Sequence, residues 1–403
     1  MLVTKNIHLA ITPLHQKMMM LSLFLILPLV GMAVDLVSPS LPAMTLELNL
    51  SSNIIKAVIS LYLLGYALGN FIMGFLADSY GRKHFLRLSL LLFIAFSFLP
   101  IIYPDGTVLL IARFFQGLFI GAVAVLSRAI FSDILPPENL IKLGPVLGAL
   151  WGLGPVIGPI LGGYLQHYYN WTGGFYFFSI FSFLIFLFVV FVIPETIEKK
   201  SSLSITKMKK DLKEVLSCGE FIALIISMGI VYALIITFNT LGPFLIQDIM
   251  GYGPVFFGRM ALIAGVVFLV STFICRYLLK HFKVRQLFYS VIHILFILSI
   301  IGFILSFYFN ESLMLIMAMT VLMYFACGFI FPLAMGKGMS LFRHISGTAA
   351  AVMYLVNVLI TSLAAFVEGF INVHSIMSLT IIYAVLMFLL VIVYWWNLHR
   401  IKN

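Results

Sequence analysis

Charge is the first shortage. Asp, Glu, Lys and Arg make up 9% of the 403 residues, against 63% apolar residues. A soluble domain carries roughly 25% charged residues. This chain therefore lacks the polar surface to cover itself in water, and lipid is the alternative solvent. Cysteine is scarce as well. Cys218, Cys275 and Cys327 lie in or beside apolar runs and form no CxxC pair. Without that spacing, disulfide and zinc roles have no framework, and the three read as small core residues. No HExxH, GxSxG, Walker or paired-carboxylate pattern occurs. Hydrolytic and ATP-driven classes lose their support with it, and no enzymatic activity, catalytic residue or metal site is expected.

What the chain has in abundance is long apolar runs. About twelve reach the ~20 residues needed to cross a hydrocarbon core. They lie at 18–44, 53–77, 84–103, 107–132, 141–166, 171–193, 219–246, 254–279, 286–308, 311–335, 346–371 and 374–397. They are rich in Leu, Ile, Phe and Val and lack the ten-residue alternation of a membrane barrel. The expectation is an all-α membrane protein with twelve transmembrane helices. The first run is too long for a signal-peptide core and reads as a retained span.

The basic residues set the orientation. Lys5, Lys17, Arg82, Lys83, Arg87, Lys142, the lysines from Lys199 to Lys213, Lys280, Lys283, Arg285, Lys337, Arg343, Arg400 and Lys402 all fall on one side, and the other six loops hold no Lys or Arg. By the positive-inside rule both termini are cytoplasmic. The net charge of +10 is thus a topology signal, and no nucleic-acid partner is expected.

The longest polar stretch, Pro194 to Glu220, carries six lysines and leaves six runs on each side. It divides the chain into an amino-terminal six-helix bundle (1–194), a basic cytoplasmic linker (195–218) with room for a short surface helix, and a carboxy-terminal six-helix bundle (219–403). A weak echo supports two halves: "SYGRKHFL" from Ser79 aligns with "HFKVRQLF" from His281, 202 residues on. Internal repeats with a site between them characterise secondary transporters.

Four motifs carry a family resemblance. They are "GFLADSYGRK" (Gly74 to Lys83), "ARFFQG" (Ala112 to Gly117), "GPVIGPILGG" (Gly154 to Gly163) and "DLVSPSLPAM" (Asp35 to Met44). "SRAIFSDILPPE", "PET" and "SGTAAA" add smaller likenesses. The chain resembles a twelve-span major facilitator superfamily transporter of the drug/proton antiporter group, closest to its Bcr/CflA-like branch. The second copy of the loop motif lacks the Asp and the Gly, so the carboxy-terminal gate is less defined. The resemblance implies the major facilitator fold and alternating access, and a latch at the cytoplasmic gate built from Gly74, Asp78, Gly81, Arg82 and Lys83. There the acid pairs with bases and with a helix amino-terminus of the neighbouring bundle. It also implies that Gly154, Gly158, Pro159, Gly162 and Gly163 form an antiporter helix that seals the path and marks export.

Asp35 sits about nine residues from the outer end of its run, roughly 13 Å deep. Carboxylates at such depth are expensive and usually functional, and burial suits one to take up and release a proton. Arg113 lies at similar depth in the fourth run, about 9 Å from the edge. Its charge is permanent, and the two are expected to meet, directly or through water, as the proton-coupling pair. Pro39 and Pro42 should bend or end the first helix. Candidate cavity residues are Met32, Tyr62, Tyr66, Gln116, Tyr232, Phe238, Asn239, Tyr354 and Asn357; for Gln116, Asn239, Asn357 and also Asn70 the bland reading is interhelical packing. Lys56, Arg259 and Glu368 lie near outer ends, where snorkelling is the default, with Glu368 a second acid as the alternative.

The expected activity is proton-driven export of small amphipathic or drug-like compounds. A metabolite or siderophore carrier of either direction, or a non-transporting receptor, is the alternative. The expected partners are a small-molecule substrate, protons and membrane lipid, with no cofactor beyond the proton gradient. The expected setting is a monomer in a bacterial inner membrane.

Overall fold

In hydrocarbon each backbone N–H and C=O must find its partner within the segment, so apolar runs of this length become helices. The computed structural model describes residues 13–196 and 205–402. These form α1 (Pro13–Met32), α2 (Leu41–Glu47), α3 (Ser52–Tyr80), α4 (Arg82–Ile102), α5 (Gly106–Ile134), α6 (Pro137–Tyr169) and α7 (Thr172–Val192). There follow α8 (Ile205–Ser217), α9 (Gly219–Pro243), α10 (Pro254–Leu278), α11 (Val284–Ser306), α12 (Leu313–Leu341), α13 (Ser346–Gly369) and α14 (Met377–Lys402). No strand occurs among the described residues. Among the described residues ten stretches are long and apolar enough to cross a membrane, and Lys17–Met32 is a shorter apolar helix.

Local chemistry sets the ends. Asp105 caps α5, its carboxylate accepting from Thr107 N at 2.8 Å and Val108 N at 3.1 Å. Pro137 and Pro254 open α6 and α10, where a missing N–H costs no helical bond. Gly81, between α3 and α4, has φ +114°, a conformation that a side chain would strain. The linker does contain a helix, α8. Met208, Leu212 and Val215 share one of its faces, Val215 is buried, and the helix rests on α13 and α9. Lys199 and Lys200 of the linker lie outside the described residues.

Two apolar cores result. One joins α1 to α7 and takes in Ile236, Phe244, Val358 and Ala365 from the second half; the other joins α8 to α14. Within the first, α5 packs on α3 and α4, and α1 on α6 and α7; within the second, α9 packs on α12, α13 and α14. The two helix sets meet along α3 with α13 and α6 with α10. One end of the molecule holds the Gly81 turn, α8 and most of the described basic residues (the basic end). The opposite, far end holds the loops at 48–51, 103–105, 170–171, 250–253, 307–312 and 370–376.

Candidate functional site

The first apolar run is not one helix. α1 stops at Met32, residues 33–37 form turns, and Ser38–Ser40 make a single 3-10 turn before α2. Pro39 supplies the reason: it has no N–H to give to the carbonyl four residues back, which is that of Asp35. The break is nevertheless buried throughout, from Gly31 to Pro42. Discontinuous helices of this kind line substrate sites in transporters.

Asp35, at 1% exposure, points between the two helix sets. Its Oδ1 accepts from Asn239 Nδ2 of α9, and its Oδ2 has no protein hydrogen-bond partner. Asn239 stands four residues before Pro243, so its carbonyl also lacks a helical donor. Ser38 Oγ supplies one from the other helix set, at 2.5 Å. Tyr62 of α3, Tyr232 of α9 and Tyr324 of α12 are the aromatic neighbours of Asp35. A methyl group placed on Gly158 would lie 3.1 Å from Asp35 Cβ, so α6 forms the wall behind the acid.

Arg113 is fully buried but does not pair with Asp35. Its Nε donates to Val58 O at 3.3 Å, one terminal nitrogen to Gln116 Oε1 at 3.0 Å, the other to Ala33 O at 3.3 Å. Its guanidinium lies 4.2 Å from the centre of the Tyr62 ring. No ion pair joins Arg113 to Asp35 among the described residues. The physical reason is that the broken backbone at Ala33 competes for the guanidinium, which braces the break instead of neutralising the acid. Gln116 extends this brace by donating to Ser97 Oγ at 2.9 Å. It faces α4, not the space between the sets.

Other candidates separate in the same way. Tyr62, Tyr66, Tyr232 and Asn239 gather with Asp35 where the sets meet, and Tyr354 adjoins Tyr66 there; Met32 lies against Gly158 of α6 in its own set, and Asn357 is buried in α13. Phe238 does not join them; it stacks on Phe257 at 5.1 Å and edges Tyr324 inside the second core. Arg259 is exposed, as snorkelling requires, whereas Lys56 and Glu368 are buried at 0% and 2% exposure. Lys56 Nζ crosses between the sets to donate to Ile371 O at 2.5 Å.

The glycine-rich helix works on two sides. Methyl groups on Gly154 and Gly162 would lie 2.1 and 2.0 Å from backbone atoms of Gly31 and Leu36, so α6 touches the first run backbone to backbone. On its other side Gly163 meets Pro254 O, and Gly258 of α10 meets Pro159 O, both at 2.6 Å by the same measure. Small residues permit that approach.

At the basic end Arg82 pairs with Asp133 at 2.6 Å. Glu195 accepts from Arg82 N at 3.0 Å and Lys83 N at 3.2 Å, occupying the amino-terminus of α4. The acid found at a helix start is therefore Glu195 of the same helix set, part of the "PET" likeness. The Asp78 side chain lies outside the described residues. Gly74 meets Val125 only at ordinary contact distance, 3.5 Å, so close packing does not demand a glycine there.

The residue that motif reading passed over is Arg128. It donates to Asn70 Oδ1 at 3.2 Å and lies 4.2 Å from the Tyr354 ring centre, reaching from α5 to α13. Its signal was available: a cation fifteen residues after Arg113, four turns along the same helix.

Apolar helices in two packed sets, with a buried acid and its amide partner where they meet, define a multi-pass membrane protein of the solute-carrier kind. The chain belongs to the Major Facilitator Superfamily, whose family model matches residues 23–365. It is 28% identical over 245 residues to the uncharacterized transporter YdgK of Bacillus subtilis, covering 60% of this chain and 61% of that one. It is 27% identical over 358 residues to the multidrug resistance protein MdtL of Shewanella sp. strain ANA-3, covering 87% and 88%. Among solved structures, a D-xylose–proton symporter superposes with a TM-score of 0.75 at 15% identity, over 94% of this chain and 97% of that one. A bacterial homologue of the lysosomal transporter Spinster, in an inward-facing occupied conformation, gives 0.76 at 15%, over 97% and 98%. These two likenesses establish the fold.

Proposed function

We propose that the protein is a proton-coupled exporter of small amphipathic or drug-like compounds, working by alternating access. The observation that carries this reading is the Asp35–Asn239 contact: a buried carboxylate with one oxygen uncommitted, held at the meeting of the two helix sets. An acid in this place can exchange a proton or a cationic substrate only as the sets move apart. The aromatic rings beside it suit flat or cationic molecules, which they attract through their faces. The multidrug resistance relatives, matched over nearly nine-tenths of their length, support the same substrate class.

In this reading α1 and α6 complete the ten apolar stretches to twelve spans in two six-helix bundles, 1–194 and 219–403, joined by the linker 195–218. The basic end faces the cytoplasm with both termini, in a bacterial inner membrane, and the monomer needs no cofactor. Gln247 donates to Pro39 O at 2.9 Å, Asn53 to Asn372 Oδ1 at 3.1 Å and Ser362 to Ser60 O at 2.8 Å, all between the sets. They lie toward the far end, which supports a state closed there. Arg113 holds the broken helix in register, so Asp35 is the proton carrier and Arg113 its positioning group.

Inside-out vesicles with an imposed pH gradient test the proposal. Wild type should exchange protons for a lipophilic cation, and Asp35→Asn should insert normally yet lose that exchange. Undiminished exchange by Asp35→Asn overturns the reading.

A further inference from the structure

Lys56 of α3 and Glu368 of α13 lie at the far-end seam between the helix sets, and each supplies the other's nearest opposite charge. Their positions close to helix ends would let both reach water, yet neither does. Nor do they form an ion pair among the described residues. Lys56 is served elsewhere. Its ammonium donates to Ile371 O and, at 3.4 Å, to Asn53 Oδ1, and it lies 5.4 Å from the Phe244 ring centre. Ile371 follows the last turn of α13, where the helix presents its negative end, the preferred place for a cation.

That same helix end opposes a carboxylate, and Glu368 is in the last turn. The hydroxyls beside it have backbone acceptors of their own to serve. Thr237 Oγ lies 2.9 Å from Ala233 O and 2.5 Å from Glu368 Oε1. A threonine hydroxyl has one proton, and a backbone carbonyl can only accept. If Thr237 donates to Ala233, the contact with Glu368 is a hydrogen bond only when Glu368 is the donor. Thr240, one turn on, spends its own proton on Ile236 O at 2.8 Å. Glu368 Oε2 has no protein partner. The remaining titratable neighbour is Tyr383 of α14, which brings no positive charge. Lys56 favours the carboxylate without contact, and the Thr237 and Thr240 hydroxyls favour it only where they turn their protons toward it and away from Ala233 O and Ile236 O.

We propose that Glu368 is a second proton-binding site, loaded when the far end is closed. In the step a proton from the far-side water joins the carboxylate, and the resulting carboxyl O–H donates to Thr237 Oγ; no other bond changes. Opening the far end hydrates Glu368 and lets the proton exchange, so closing at that end takes a proton up. Far-side acidity thereby favours closure at that end, and the proton returns to the far side on reopening, so the site acts on the gate and adds no net proton transfer of its own. Asp35 then reports on substrate at the centre while Glu368 reports on the gate. The assignment deepens the proposed proton coupling and rests on that reading for its part in transport.

Infrared spectroscopy of the full-length protein in lipid, stepped through pH, tests it without a transport assay. Wild type at neutral pH should show a protonated-carboxyl stretch that disappears in Glu368→Gln and survives in Asp35→Asn. Thr237→Val, which keeps the acid but removes its acceptor, should move that band to higher frequency. Spin labels at Leu46 and Met314, both exposed at the far end, should move apart as pH rises and the band is lost. In Glu368→Gln they should stay at the closed distance. Identical carboxyl spectra for wild type and Glu368→Gln overturn the proposal. Where Glu368→Gln fails to fold, an unshifted band in Thr237→Val overturns it instead. Because the band is read without substrate, a failed exporter assay and a failed second site are separate results.

Discussion

On each side of the contact between the helix sets a polar residue stands four places before a proline, Asp35 before Pro39 and Asn239 before Pro243, 204 residues apart. Both prolines deprive the polar residue's carbonyl of its helical donor. In the first run the helix then gives way to turns, a 3-10 segment and the short α2. In the second, α9 continues through Pro243 into a π-helical turn, Phe244–Ile249. Pro42 follows Pro39 by three residues and sits in the first turn of α2, so the run restarts there as a separate short helix, whereas the next proline after Pro243 is Pro254. The difference falls where the acid is. The broken run carries Asp35 and exposes carbonyls that Arg113 and its neighbours must satisfy; the intact run carries the neutral asparagine that meets it. One half holds the acid, and the other supplies its amide partner.

Exchanging the two side chains should break this division most severely. Asp35→Asn combined with Asn239→Asp keeps one acid and one amide in contact but moves the acid onto the unbroken helix. Proton-driven export, expected to be lost in Asp35→Asn, should be absent from the double variant too, measured in the same vesicles. Restored export would show that the pair matters and the break does not.

Repairing the break is the next largest effect. Pro39→Ala returns a donor to Asp35 O and lets α1 run on. An interior helix proline costs about 3 kcal/mol, so Pro39→Ala should raise the unfolding temperature. It should also lower export by about tenfold, a loss of ~1.4 kcal/mol in the productive arrangement. Pro243→Ala, in a helix that is already continuous, should change export by less than about threefold, within ~0.65 kcal/mol. Equal losses in the two variants would remove the distinction between the runs.

Much of this frame was legible in the sequence. Beyond the first, which breaks at Met32, the apolar runs placed the helices to within a few residues, and the loop motifs placed the Gly81 turn, because lipid and backbone chemistry act on local composition. Asp35 was legible because a buried carboxylate is rare. Its partners were not. Arg113 stands at the right depth for an ion pair, but depth says nothing of which carbonyls a broken backbone leaves open beside it. The proline echo at 204 residues is two letters long with different polar residues, below what a single sequence distinguishes from chance. Lys56 and Glu368 were placed at the surface by their distance along their helices, whereas the packing of α3 on α13 covers them. Side-chain burial at an interface between helix sets is set by tertiary contact, and periodicity does not report which of two apolar faces is lipid.

The finest test concerns the carbonyl that Pro243 frees. Ser38 Oγ caps Asn239 O only while the helix sets are together. Once they part, water takes its place. Ser38→Ala should therefore destabilise the closed far end by about 1 kcal/mol, the net worth of one hydrogen bond, a roughly fivefold shift toward the open state. The Leu46–Met314 distance populations measure it. Ser362→Ala is the control. Its hydroxyl also crosses between the sets, to Ser60 O at 2.8 Å, but that carbonyl belongs to a helix uninterrupted by proline and keeps its backbone donor. Its removal leaves no orphaned acceptor, so the shift should be smaller than for Ser38→Ala. If the two variants shift the populations equally, the proline-freed carbonyl has no special part in holding the far end shut, and Pro243 marks helix geometry alone.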